Sequence, residues 1–258
     1  MLVATLTITA LALVIAAGPS SVSTVRLGNV FVGGRTTTPC MAASNATGPI
    51  GRISKKIGRY VNHDDVLVRF VSLWVVVATV FTAAWILSYF LLPQGLLRGG
   101  NPAAPTTYAG STPREFLMLF AWNVGISLIA VAANTLRSVN TPMGYVIEVV
   151  QAPYYGAVWG TGSLAIGTSE RIAPSLAVLV ERSGPMEITA IVAIVVATRG
   201  VMLWHQKSRP RWNEEFEWVR SPKDWSLTRR EWVLLIGGYL LLAVACYREA
   251  VAIAQVVG

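Results

Sequence analysis

Phe70 to Leu92 reads FVSLWVVVATVFTAAWILSYFLL, 23 residues without a single charge, and Pro93 closes it. At 1.5 Å per residue such a run forms a helix of about 34 Å, enough to cross a hydrocarbon layer of about 30 Å. Further apolar runs follow at Phe116–Leu136, Met143–Gly167, Met186–Trp204 and Trp232–Val257. The expected fold class is therefore all-α: a polytopic integral membrane helical bundle with five main spans. Ile172–Arg182 is apolar but only two or three turns long, with Pro174 near its start and Gly184-Pro185 just beyond it. It reads as a re-entrant or interfacial helix. Leu2–Ala17 is a further apolar run, followed by Gly18-Pro19-Ser20-Ser21. It could be a signal peptide, but no Lys or Arg precedes it, which favours a retained short span or a membrane-associated helix.

The whole chain agrees with that start. Of 258 residues, 53% are hydrophobic and 13% charged, against about 25% charged in soluble domains; the mean hydropathy is +0.54. The net charge of +8 does not point to nucleic acid, because the basic residues lie in loops beside apolar runs. Arg52, Lys55, Lys56, Arg59 and Arg69 precede the first full span, and Lys207, Arg209, Arg211, Arg220, Lys223, Arg229 and Arg230 lie between the last two. By the positive-inside tendency, segments 52–69 and 205–231 face the cytoplasm and the C-terminus lies outside. Three parts result: a short N-terminal apolar helix (1–17), a polar basic cytoplasmic segment (18–69) and a transmembrane helical domain (70–258) with a charged cytoplasmic loop at 205–231. Arg52–Arg59 has the spacing of an interfacial basic helix whose isoleucines dip into lipid, or of a simple topology anchor.

Catalytic signatures are sparse. There are two histidines; His63-Asp64-Asp65 reads as a solvated helix start, and His205 sits at the edge of a span. Cys40 and Cys246 lie in different environments and have no partners at metal-ligand spacing. Gly160–Ala165 matches a dinucleotide pattern, but within a membrane-length run rather than a strand-turn-helix unit. No P-loop and no Gly-x-Ser-x-Gly elbow is present. The expectation is a protein that is not an enzyme and holds no cofactor and no metal.

Polar residues inside apolar runs carry more information, because a charge at the bilayer centre costs about 2.5–3.5 kcal/mol on insertion scales. The candidates are Asn123, Glu148, Glu187, Arg199, Arg248 and Glu249, with Asn134 a further polar residue expected to face other helices. Glu187 and Arg248 fall at similar depth, so an ion pair between them is expected, while Arg199 can snorkel to the cytoplasmic side. This set reads either as helix-locking or as a polar site for an ion or small ligand. Gly156 and Gly160 fit the small-xxx-small pattern of close helix packing. Gly184 and Gly200 are further packing candidates.

From Phe116 onward these features come in a set order. Asn123 opens one apolar span, and Gly156 and Gly160 mark a Gly-rich one. Arg182–Ala190 (RSGPMEITA) forms a turn, Gly200 closes the next span, and Glu249-Ala250 lies in the last helix. This order, over a little more than half the chain, resembles the stage II sporulation protein M family and its bacterial and archaeal relatives. The family's turn reads Pro-His-Gly-x-x-Glu-Leu-Pro-Ala; Gly184, Glu187 and Ala190 match it, whereas Arg182 and Ser183 replace the Pro and His. The resemblance implies a membrane subunit that anchors partners in a complex that remodels the cell wall. The expected function is thus a non-enzymatic subunit that scaffolds or assembles a larger membrane complex, with membrane lipids and other membrane subunits or its own copies as partners and no nucleic acid. A channel or transporter component with a polar intramembrane site is the alternative. An enzyme acting on a lipid-linked substrate comes third.

Overall fold

The computed structural model describes residues 56–98, 108–138, 141–163, 171–206 and 216–257. The run Leu2–Ala17, Cys40, most of the basic segment, the tail of the third run and the centre of the 205–231 loop lie outside the described residues. The protein is mostly helical. Its elements are α1 (Val66–Leu91), α2 (Thr112–Ala133), β1 (Leu136–Ser138), β2 (Thr141–Pro142), α3 (Met143–Thr161), α4 (Leu176–Glu181), α5 (Gly184–Ala197), β3 (Trp204–Gln206), β4 (Glu217–Trp218) and α6 (Arg229–Val257). A 3-10 turn at Thr198–Val201 extends α5, and another, Pro222–Asp224, precedes α6. Four helices among the described residues are long and apolar enough to cross a membrane: α1, α2, α5 with its 3-10 extension, and α6.

Local chemistry sets the helix ends. Asp65 caps α1, its carboxylate accepting the N–H groups of Leu67 and Val68 at 2.8 and 3.2 Å. Those two donors, Val68 foremost, hold the Asp65 pKa below its ordinary 3.8. Helix α1 therefore begins four residues before the apolar run does. Helix α3 ends at Gly162, whose φ of 63° is a left-handed cap. Arg171 donates to the carbonyls of Tyr89 and Leu92 at 2.6 and 2.7 Å and closes the end of α1.

Of the five long helices, α3 is the one that is not apolar enough by composition to count as a span. Helix α1 lies directly against it. A Cβ on Gly156 would overlap the carbonyl oxygen of Phe81, and one on Gly160 would overlap the Ser88 hydroxyl and the Trp85 carbonyl. The two backbones touch here because neither position has a side chain. Phe81, Trp85 and Trp159 stack edge to face beside this contact, with Phe81–Trp159 and Trp85–Trp159 centroids both 5.2 Å apart. The Trp85 Nε1 donates to the Ile172 carbonyl at 2.8 Å. Gly238 of α6 likewise lies against Ile194 and the Ala190 carbonyl of α5.

At one end of the bundle the starts of α1, α3 and α6 meet the ends of α2 and α5. Here Arg69 and Glu231 form a buried ion pair at 2.9 Å. Asn134 ties three helices: its Nδ2 donates to the Val195 carbonyl (2.8 Å) and the Thr198 hydroxyl (3.0 Å), and its Oδ1 accepts the Gly144 N–H (3.1 Å). Two connections expected to be plain loops pair here as a small sheet of order β2-β1-β3-β4, with β1 and β3 parallel. The sheet gives backbone groups just past the helix ends the partners they lack. The fourth run accordingly ends early: its last residue, Trp204, belongs to β3.

The opposite end carries α4. It has only six residues, all outside the core, with Leu176 and Val180 strongly exposed. At about 9 Å it is far too short to cross. Large apolar side chains such as Leu67, Val71, Phe90, Leu128, Val233 and Leu240 cover the outside of the bundle, the composition a lipid-facing surface requires.

Replacing Gly156 with Val should lower stability by about 1–3 kcal/mol, the usual range for overpacking. Gly125→Ala and Gly237→Ala, where no atom lies within 4 Å of the added carbon, should be neutral or slightly stabilising. Thermal unfolding in detergent checks both; equal effects at the two kinds of site would refute the α1–α3 contact.

Candidate functional site

One face of α3 carries Glu148, Gln151, Tyr155 and Trp159, at intervals of three, four and four residues. That spacing puts them on a single stripe, extending about 16 Å along the helix axis. The stripe borders a partly open cavity of about 60 Å3, lined on other sides by Asn123 of α2, by Val77 and Phe81 of α1, and by Gly184, Glu187, Ile188 and Ile191 of α5. A volume of that size accommodates a few water molecules.

Among the described residues that line the cavity, none is Lys, Arg or His. Glu148 is 5% exposed, and its Oε1 has no hydrogen-bond partner; the same holds for Oε1 of Glu187. The Glu187 carboxyl lies beside that of Glu249 on α6, within hydrogen-bonding reach of it. The expected Glu187–Arg248 ion pair does not form. Arg248 turns away to donate to the Val180 and Glu181 carbonyls at 3.1 and 2.6 Å, holding the end of α4, and its Nη1 lies 3.7 Å from the Met186 sulfur. Successive residues on a helix point about 100° apart, so bringing Glu249 toward α5 carries Arg248 to the side of α4.

The structure thus gathers Asn123, Glu148, Glu187 and Gly184 around one cavity, with Glu249 beside Glu187. Asn123 also donates to the buried Cys246 sulfur at 3.4 Å. Gly184 faces the Trp159 ring, which leaves no room for a Cβ. Gly156 and Gly160 lie on the adjoining face of α3, about 100° round the helix from Tyr155 and Trp159. Gly200 has only ordinary room around it, the nearest atom to an added Cβ being the Ser226 carbonyl at 3.6 Å, so no close helix contact requires glycine there. Arg199 sits at the far end of α5 and donates to the His63 carbonyl at 3.0 Å. Gln151, Tyr155 and Trp159 complete the site without having stood out as site residues in the sequence. The signal that could have found them is their common period with Glu148.

Among the described residues, no three His, Cys, Asp or Glu side chains converge as a metal site. No family model, curated protein or solved structure matches the chain.

A buried acceptor without a donor costs about 1–3 kcal/mol, and more if charged. Glu148→Met, close in volume, should therefore raise the melting temperature in detergent or leave it unchanged. A clear fall would mean that the carboxyl already has a partner that holds the fold together.

Proposed function

We propose that this chain is a multi-pass protein of the cell membrane that binds a small cation, the proton included, in the α3 cavity and conveys it as a transporter or channel component. The observation that carries the reading is the Glu148 carboxyl, buried inside the bundle with an unpartnered oxygen, at the edge of a cavity. Evolved membrane interiors rarely retain such a group without use. A cation supplies the missing partner and offsets the repulsion between Glu187 and Glu249. The neutral oxygens of Asn123, Gln151 and Tyr155 can complete its surroundings. With so few carboxyls at one point, the site suits a proton or a monovalent cation better than a divalent metal. The break between α4 and α5, which brings Gly184 to the cavity edge, is the kind of interruption that builds binding sites in transporters.

In this reading α3 crosses as a fifth span, shielded by its neighbours, which explains how a less apolar helix is accommodated. The Arg- and Lys-rich end faces the cytoplasm and α6 ends on the other side. The scaffold reading, and with it kinship to the stage II sporulation protein M family, stands second. It is favoured by exposed aromatics at the basic end: Trp204 and Trp218, stacked edge to face at 4.8 Å, and Trp225.

Purified protein in proton-tight vesicles should support cation or proton flux, and Glu148→Gln and Glu187→Gln should each reduce it at least about tenfold, equivalent to about 1.4 kcal/mol, with unchanged incorporation. Flux that survives both substitutions would sink the proposal. Absence of flux across a panel of protons, alkali cations and small amines, together with stable protein partners retained in mild detergent, would move the assignment to the scaffold.

A further inference from the structure

Arginines from α1, α6 and the 3-10 extension of α5 close on one short turn at the basic end of the bundle. The turn is His63–Asp65, which joins the helical residues 56–61 to α1. Arg69 of α1 donates to the His63 and Asp64 carbonyls at 3.3 and 3.1 Å. Arg199 donates to the same His63 carbonyl at 3.0 Å. Arg230 of α6 pairs with the Asp65 carboxylate at 3.2 Å, at the surface. Behind the turn Arg69 also reaches Glu231 of α6 at 2.9 Å, and this second pair is buried. The other Glu231 oxygen accepts the Thr228 N–H and hydroxyl at 2.9 and 3.0 Å, so the carboxylate is held from both sides.

Polar ties take the place of packing here. Among the described residues α1 and α6 do not lie side by side; the two ion pairs join them at this end. A buried ion pair is seldom the most stabilising choice, since apolar side chains of similar volume often serve as well or better. What it does well is specify one arrangement among several, which suits a joint with two positions. The clasp also connects to the α3 cavity. Arg69, Leu73, Val77, Phe81 and Trp85 recur every four residues and are all buried, so they follow one ridge of α1. Val77 and Phe81 of that ridge line the cavity, about 12 and 18 Å along the axis from Arg69.

Beyond the cavity, Gly156 and Gly160 hold the Phe81–Ser88 part of α1 flush against α3. Helix α1 is thus fixed in its far half by a backbone contact and tied at its start by charge, with cavity-lining residues between. One further bond crosses from this first half to α5, from the Trp74 Nε1 to the Thr189 hydroxyl at 2.9 Å, and it lies at the exposed surface. We propose that the His63–Asp65 turn and the Arg69–Glu231 pair form a gate: a clasp that closes the basic end of the bundle over the cavity. Its release lets the first half of α1 swing about the glycine contact, away from α6, and opens the cavity toward that end. As a gate the clasp presupposes the cation reading of the cavity; its mechanics do not.

The test uses the full chain in lipid nanodiscs, with Cys40 and Cys246 replaced by Ala. Spin labels at Leu67→Cys and Val233→Cys, both exposed near the starts of α1 and α6, report the separation of the helix starts by pulsed electron resonance. One narrow distance distribution is expected when the clasp is intact, and Glu231→Gln, nearly equal in volume, should add a population at longer distance. In a parallel chain Gln151→Cys reports access to the cavity through its reaction with a small neutral methanethiosulfonate, which Glu231→Gln should speed at least about tenfold. Arg199→Gln combined with Arg230→Gln removes the two outer ties and leaves the buried pair whole; it should move both readouts the same way by less, exposed pairs being the weaker ones. This double variant decides the matter if Glu231→Gln does not fold. Unchanged helix separation in every folded variant overturns the clasp, and greater separation with an unchanged reaction rate overturns its part in closing the cavity. Neither readout needs flux, so the clasp can fail while the cation reading stands, and the converse.

Discussion

The structure depends on the contact between α1 and α3, where Gly156 and Gly160 leave the Phe81, Trp85 and Ser88 backbone region flush against α3. In lipid there is little hydrophobic gain from pressing one apolar helix on another, so association rests on close packing and on polar groups with no other partner. Once α1 is fixed to the glycine face of α3, the adjoining face meets Val77 and Phe81 of α1, together with α2 and α5. That face carries Glu148, Gln151 and Tyr155, too polar for lipid and too bulky for a flush contact. The cavity follows from two adjoining faces of one helix having different requirements.

Several polar groups elsewhere in the bundle are engaged across helices. Asn134 uses both ends of its amide and joins α2, α3 and α5. Arg69 and Glu231 pair with each other, and Arg248 binds two carbonyls of α4. These groups hold the fold. Glu148, Glu187 and Tyr145 are buried with an oxygen left unpartnered, which a fold optimised for stability alone would avoid. The acidic orphans Glu148 and Glu187 border one cavity, and the tyrosine lies one turn before Glu148 on the same helix.

Much of this was legible in the sequence, for a physical reason. Runs such as Phe70–Leu92 are apolar on all sides because lipid surrounds them, and length alone then marks a helix. The helix ends were less legible: Asp65 caps α1 from within a polar stretch, and α5 stops short of Trp204, which a strand claims. Strands of two or three residues, such as Leu136–Ser138, have no periodicity of their own and exist because helix ends bring them together. The polar candidates were visible one by one, and Asn123, Glu148 and Glu187 do share a cavity. Which neighbours they face was not visible, because depth along a helix leaves its rotation open. That is why Glu187 meets Glu249 rather than Arg248. Gln151 and Tyr155 became recognisable once their register with Glu148 placed all three on one stripe.

The most direct test of the account is whether the α3 stripe borders a water-bearing, acidic cavity within the membrane. With Cys40 and Cys246 replaced by Ala, a single cysteine at Gln151→Cys would be exposed in vesicles to a small cationic methanethiosulfonate reagent and to an anionic one of similar size. The account predicts that the cationic reagent modifies this cysteine and, at a pH alkaline enough to ionise the cavity carboxyls, does so much faster than the anionic one, with the preference lost in Glu148→Gln. No modification by either reagent, or equal rates with both, would contradict it.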